Sequence, residues 1–270
     1  LPEGFTIVED GGLDEQGIPL RILCEADGAE MAFVPGGGFI QGVDGQTPES
    51  GPAHVAYVDG FYMDILEATV KQYEEFRTAT LNTRRPQRVL NEFDPPDYPA
   101  LGVNWRDAGN YARWAGKELP TEAEWEKAGR GVDGYEFPWG NGRAIWEHDR
   151  RPGQIDPVGT HPNDVSVYGI LDLAGNAREW CSDWYAPDSY LQAKTPDGSP
   201  PRNPRGVERA APPNARVLKG SGAEGWELWA REGVSMRDQL PNVGVRCVLR
   251  VELPEDVKAA EAQRAPRGDF

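Results

Sequence analysis

The chain has 270 residues, with 44 acidic against 28 basic side chains and a formal charge of −16, which excludes a basic groove for nucleic acid and disfavours an anionic lipid surface. Apolar residues make up 39% of the sequence, enough for a core at this length, and no run approaches the ~18 apolar residues of a membrane-spanning helix. Gly 32, Pro 24 and Trp 9 describe a loop-rich but folded chain, since disordered sequences are poor in aromatics.

Residues 1–30 read as an acidic N-terminal extension with two short β-like runs, at 5–8 and 18–24, around a turn at Gly11 and Gly12. From Met31 short apolar runs separated by turns begin, MAFVPGGGFIQG at 31–42 and HVAYVDGFYMD at 54–64, and their alternation predicts strands. Three helices then carry start signals. Thr69 and Gln72 can cap each other ahead of an apolar face of Val70, Tyr73 and Phe76. Asn104 caps a second helix, with Trp105, Ala108, Tyr111, Ala112 and Ala115 at helical spacing before a stop at Gly116. In the third, Thr121 and Glu124 form a capping box and Trp125 and Ala128 face inward. Glu122 and Glu126 fall at i, i+4 on that helix and are expected to be solvated.

After Gly129 the helices stop. Residues 135–172 are aromatic and turn-rich, and 185–215, with seven Pro, reads as a long surface loop. Strand-like alternation returns at 216–219 and 243–251, and 255–270 reads as a helix or docked tail. The expected organisation is an N-terminal extension at 1–30, one body at 31–250 and a C-terminal tail at 251–270.

Cys24, Cys181 and Cys247 lie far apart without metal spacing, which excludes a cysteine-built zinc or iron-sulfur site. His54, His148 and His161 are too few for an all-protein imidazole cage. Cys247, between Val245 and Val248, and Cys181, after Trp180, read as packed core thiols. A start at Leu1 is consistent with a processed form, and the expected location is extracytoplasmic, periplasmic or secreted, with the cytoplasm left open.

Several separate segments then agree in order: FYMDILEATVKQYEEF at 61–76, YPALGVNWRDAGNYARWAGKELPTEAEWEKAGRG at 98–131, FPWGN at 137–141, PVGTHPNDVSVYGILDLAGNAREW at 157–180, RVLKGSG at 216–222 and NVGVRC at 242–247. With 31–42 they resemble the formylglycine-generating enzyme (sulfatase-modifying factor) family across 31–250. The resemblance implies an α+β fold of C-type-lectin-like type, one loop-rich domain with little regular secondary structure.

The resemblance does not extend to the chemistry. Catalytic members keep a pair of cysteines a few residues past the Gly-Gly-Ser segment, which binds copper and oxidises a substrate cysteine to formylglycine. Here no Cys follows Gly220 before Cys247, and Gly225, Glu227 or Ser235 cannot replace the soft thiolate that copper(I) requires. No catalytic residue, no copper and no organic cofactor is expected. The family's ergothioneine branch carries its iron-binding histidines in an additional helical domain, which this chain lacks.

GNAREW at 175–180 matches the family segment that holds calcium, which implies Asn176 and Glu179 as oxygen ligands of a structural calcium ion. The alternative is that Asn176 satisfies backbone groups while Glu179 pairs with an Arg. A second family calcium site, near residues 143–145, has Ala144 in place of Asn and is expected to be absent. Most Trp belong to the scaffold. Trp226, Trp229 and Arg231 fall where catalytic members keep their active-site segment, and either form a contact patch or fill the vacated cleft. Arg150 is expected to pair with local acids.

The function expected is a non-catalytic scaffold or binding subunit that docks on a larger complex, including a membrane-bound one, through a protein partner on its extracytoplasmic face. A lectin-like receptor for glycan or peptide, and a residual oxidase, stay open as alternatives.

Overall fold

A computed structural model describes residues 1–81, 95–144, 146, 149–193, 195, 197–208, 214–220, 225–264 and 266. It has an α+β architecture of short elements, and among the described residues no helix is long and apolar enough to cross a membrane.

The first sheet is antiparallel, in the order β1 (Phe5–Ile7), β2 (Arg21–Cys24), β3 (Glu30–Val34), β6 (Phe61–Asp64) and β11 (Val248–Arg250). Strand β1 is thus the edge of this sheet and β2 joins it to β3, with Phe5 opposite Cys24 and Ile22 opposite Met31. The side-chain period of two gives the sheet two faces. Phe33, Tyr62 and Leu249 pack with Phe5 and with Leu253 and Val257 of the C-terminal segment. Ala32, Val34, Phe61 and Met63 face the other way, onto Trp125 and Ala128.

β4 (Gly37–Gln41) and β5 (His54–Val58) form a hairpin beside it. A second sheet orders β10 (Val243–Gly244), β7 (Arg178–Trp184), β8 (Ala215–Lys219) and β9 (Arg231–Ser235). Only its β10–β7 pair is parallel.

All three cap signals produce helices: α1 (Val70–Ala79), α2 (Trp105–Trp114) and α3 (Glu122–Arg130). Both Thr69–Gln72 and Thr121–Glu124 close reciprocal capping boxes, while Asn104 accepts from the Asp107 amide at 3.0 Å. Gly116 and Gly131, at φ of 70° and 66°, turn the chain out of α2 and α3 through the left-handed region that favours glycine. α4 (Glu255–Glu261) docks against the body, with Glu261 accepting from the Gly36 amide at 2.6 Å.

Helix α3 differs from its expectation. All nine of its residues are buried, including Glu122, Glu126, Lys127 and Arg130. Strands β4, β5, β7 and β8 pack against it, so its charges are paired inside the protein rather than solvated.

Candidate functional site

Glu126 lies in the interior with no solvent exposure. It accepts from the Gly42 amide at 2.7 Å, Lys219 Nζ at 2.9 Å and the Tyr190 hydroxyl at 3.1 Å, and pairs with Arg130. Burial alone would raise this carboxyl, but Lys219 and Arg130 outweigh it and hold Glu126 down at about 2. Glu122, one turn earlier, meets Arg231 in a two-pronged pair, at 2.6 and 2.9 Å.

The second polar centre surrounds Arg246, whose side chain is fully buried. Its Nε donates to Glu179 Oε1 at 2.9 Å, and Nη1 donates to the carbonyls of Asp64 and Ile65 at 3.0 and 2.8 Å. The other Glu179 oxygen accepts from Trp125 Nε1 at 2.5 Å. Asn176, at φ 63°, turns its Oδ1 to the Asp156 amide at 2.8 Å. The two side chains implied as calcium ligands are therefore turned to different protein partners, and Glu179 has the Arg neighbour that the ion-free alternative requires.

A different carboxylate is left over. Glu67 is 1% exposed, and neither of its oxygens has a hydrogen-bond partner. Arg246 Nη2 stands 3.7 Å from Oε2. Burial first, and then the charge of Asp172, push Glu67 well above the usual carboxylate range. Among the described residues no group of three or more His, Cys, Asp or Glu is arranged to hold a metal. Glu67 and Asp172 thus stand as two buried carboxylates, both raised by burial, with the Arg246 charge opposing both shifts.

The three thiols are buried and unpaired. Burial raises Cys24 to about 11 and pushes Cys181 and Cys247 well above the ordinary thiol range. Thiolate is the reactive and metal-binding form, and it is scarce at neutral pH in such surroundings. Cys24 donates to the Ala115 carbonyl at 3.3 Å.

The expected contact patch does not assemble as one surface. The Arg231 side chain is fully buried, donating also to the carbonyls of Glu49 and Ala186 at 3.0 and 3.1 Å. Trp229 is half-buried in the turn before β9, and residues 221–224 lie outside the described residues. Trp226 packs on Trp146 with centroids 5.2 Å apart, and Arg150 sits 4.9 Å from each ring. Arg150 also pairs with Asp164 at 2.7 Å, the local acid expected for it. Trp146 was not singled out in the sequence. Its aromatic context at 135–146 was the available signal.

Comparison with known proteins places these features. The profile described as a sulfatase-modifying factor enzyme 1-like domain matches residues 23–251. A serine/threonine-protein kinase Pkn1 of Chlamydia trachomatis is 34% identical over 199 residues, 67% of this chain but 32% of the kinase, so the chain spans about a third of that relative. A formylglycine-generating enzyme of Streptomyces coelicolor is 34% identical over 63% of this chain and 59% of the enzyme. The mouse protein named inactive C-alpha-formylglycine-generating enzyme 2 is 29% identical over 63% of this chain and 73% of its own length. Among solved structures, PvdO from Pseudomonas aeruginosa superposes with a TM-score of 0.65 at 24% identity, covering 83% of this chain and 95% of PvdO, a likeness of fold.

Proposed function

The chain belongs to the sulfatase-modifying factor family, and from that premise we propose that it is a non-catalytic member whose lectin-like body serves as a scaffold or binding subunit. The single observation that carries this reading is the state of its sulfur. The only three thiols are buried, unpaired and held protonated, whereas copper(I) oxidation of a cysteine needs accessible thiolate ligands. The existence of a relative named inactive supports the same direction.

The body is held by buried ion pairs around Glu126 and Arg246 and offers its loops as docking surface. The reading includes a protein partner in a larger complex and an extracytoplasmic location.

Titration of the purified chain with cuprous ion against a chromophoric chelator tests the proposal. The expected result is no stoichiometric copper binding. A tight one-to-one cuprous site would overturn it. Purification from the native source tests the docking role, which requires a stoichiometric companion at the chain's own abundance.

A further inference from the structure

The groove beside Trp139 has about 850 Å³ of space, in the range of built ligand sites. Two indoles line it, Trp139 and Trp146, which meet edge to face at 5.0 Å, and Phe137 stacks on Trp139 with centroids 5.1 Å apart and 6° between planes. Trp139 is pinned from behind, since its Nε1 donates to the Gly142 carbonyl at 2.8 Å. Val165 and Val167 also line the groove, and Val167 is 59% exposed. An apolar side chain so exposed in the same groove as a half-buried indole leaves apolar surface open to water.

The polar groups around this surface are few and chemically consistent. Although the chain carries −16, no carboxylate lines the groove among the described residues, and the ionised lining residue among them is Arg143. Arg143 is exposed and has no ion pair among the described residues. Asn141 at the same rim accepts from the Glu136 amide at 2.8 Å, which leaves its NH2 group to donate outward. Flat apolar faces ringed by amide and guanidinium donors match the pyranose ring, which has one face of C–H bonds and an edge of hydroxyls. An anionic polymer would be repelled by the surrounding negative charge.

We propose that the groove between Trp139 and Val167 is a binding site for a neutral saccharide, with a pyranose face on the Trp139 indole and its hydroxyls on Asn141 and Arg143. This site goes beyond the scaffold role and stands or falls without it, because it uses none of the thiols, ion pairs or cation ligands invoked above.

The test is titration of the full chain with maltohexaose, cellohexaose and chitohexaose, beside a hyaluronan oligosaccharide and an oligoproline peptide, followed through the tryptophan indole N–H signals by NMR. At least one neutral oligosaccharide is expected to shift the Trp139 signal. Raising salt from about 50 to about 500 mM should change its affinity less than about twofold, since screening acts on charge. Trp139→Ala should weaken binding about tenfold or more, the behaviour of a central aromatic contact. Val167→Asp, at an exposed site that does not threaten folding, should weaken it at least about threefold by replacing apolar wall with charge. No shift with any neutral sugar, binding only to the peptide or to hyaluronan, or unchanged affinity in a folded Val167→Asp variant would each overturn the assignment.

Discussion

Glu122 and Arg231, 109 residues apart in the sequence, meet as a buried two-pronged ion pair that ties the first turn of α3 to the start of β9. Burial disfavours the Arg231 charge, but Glu122 more than restores it, so the guanidinium is held well above its ordinary range. Removing one partner leaves an uncompensated charge. Arg231→Ala is expected to cost about 3–5 kcal/mol, measured by urea unfolding, and the double change Glu122→Met with Arg231→Met to cost less than the single one. An exposed contact residue would give a loss of less than about 1 kcal/mol.

Glu67 makes stability fall as pH rises. Burial and the charge of Asp172 hold its carboxyl well above the usual carboxylate range. The folded state therefore keeps a proton that the unfolded chain loses above the ordinary glutamate value, and this part of the stability declines as pH rises beyond that value. Glu67→Gln should flatten the decline, measured by urea unfolding at pH 5 and pH 7, and an unchanged decline in the variant would contradict it.

Lys127 predicts a slope of stability with pH. Its Nζ donates to the Gly37 carbonyl at 3.0 Å, and burial brings the amine down to about 7, with the charge of Glu261 only partly opposing. The folded state therefore holds fewer protons than the unfolded one between about 7 and the ordinary lysine value, and stability rises with pH across that window. Lys127→Met should remove on the order of 3 kcal/mol of that rise. Urea unfolding at pH 7 and pH 10 checks it, and equal slopes in the two proteins would contradict it.

The sequence carried the start of every long helix, because Thr69, Asn104 and Thr121 each sit within three residues of the amide they cap. It did not carry the burial of α3. Five charges in nine residues read as a solvated face, and groups that neutralise them, such as Lys219 for Glu126 and Arg231 for Glu122, arrive from strands about ninety or more residues away. Strand β9 was missed for a related reason, since Arg-Glu-Gly-Val-Ser has no apolar alternation and is held by pairing with β8. The absence of any Cys between Gly220 and Cys247 was plain in the sequence. The orphaned carboxylate of Glu67 was not, because only the folded chain shows which carboxyl is left without a donor.

The most direct measurement is incubation of the purified chain with copper, oxygen and a sulfatase-type cysteine peptide, read by mass spectrometry of the peptide. A chain whose thiols stay buried and protonated should return the cysteine with its sulfur intact at every time point. Conversion of that cysteine to an aldehyde, abolished by Cys247→Ser in a variant that still folds, would contradict the account at its root.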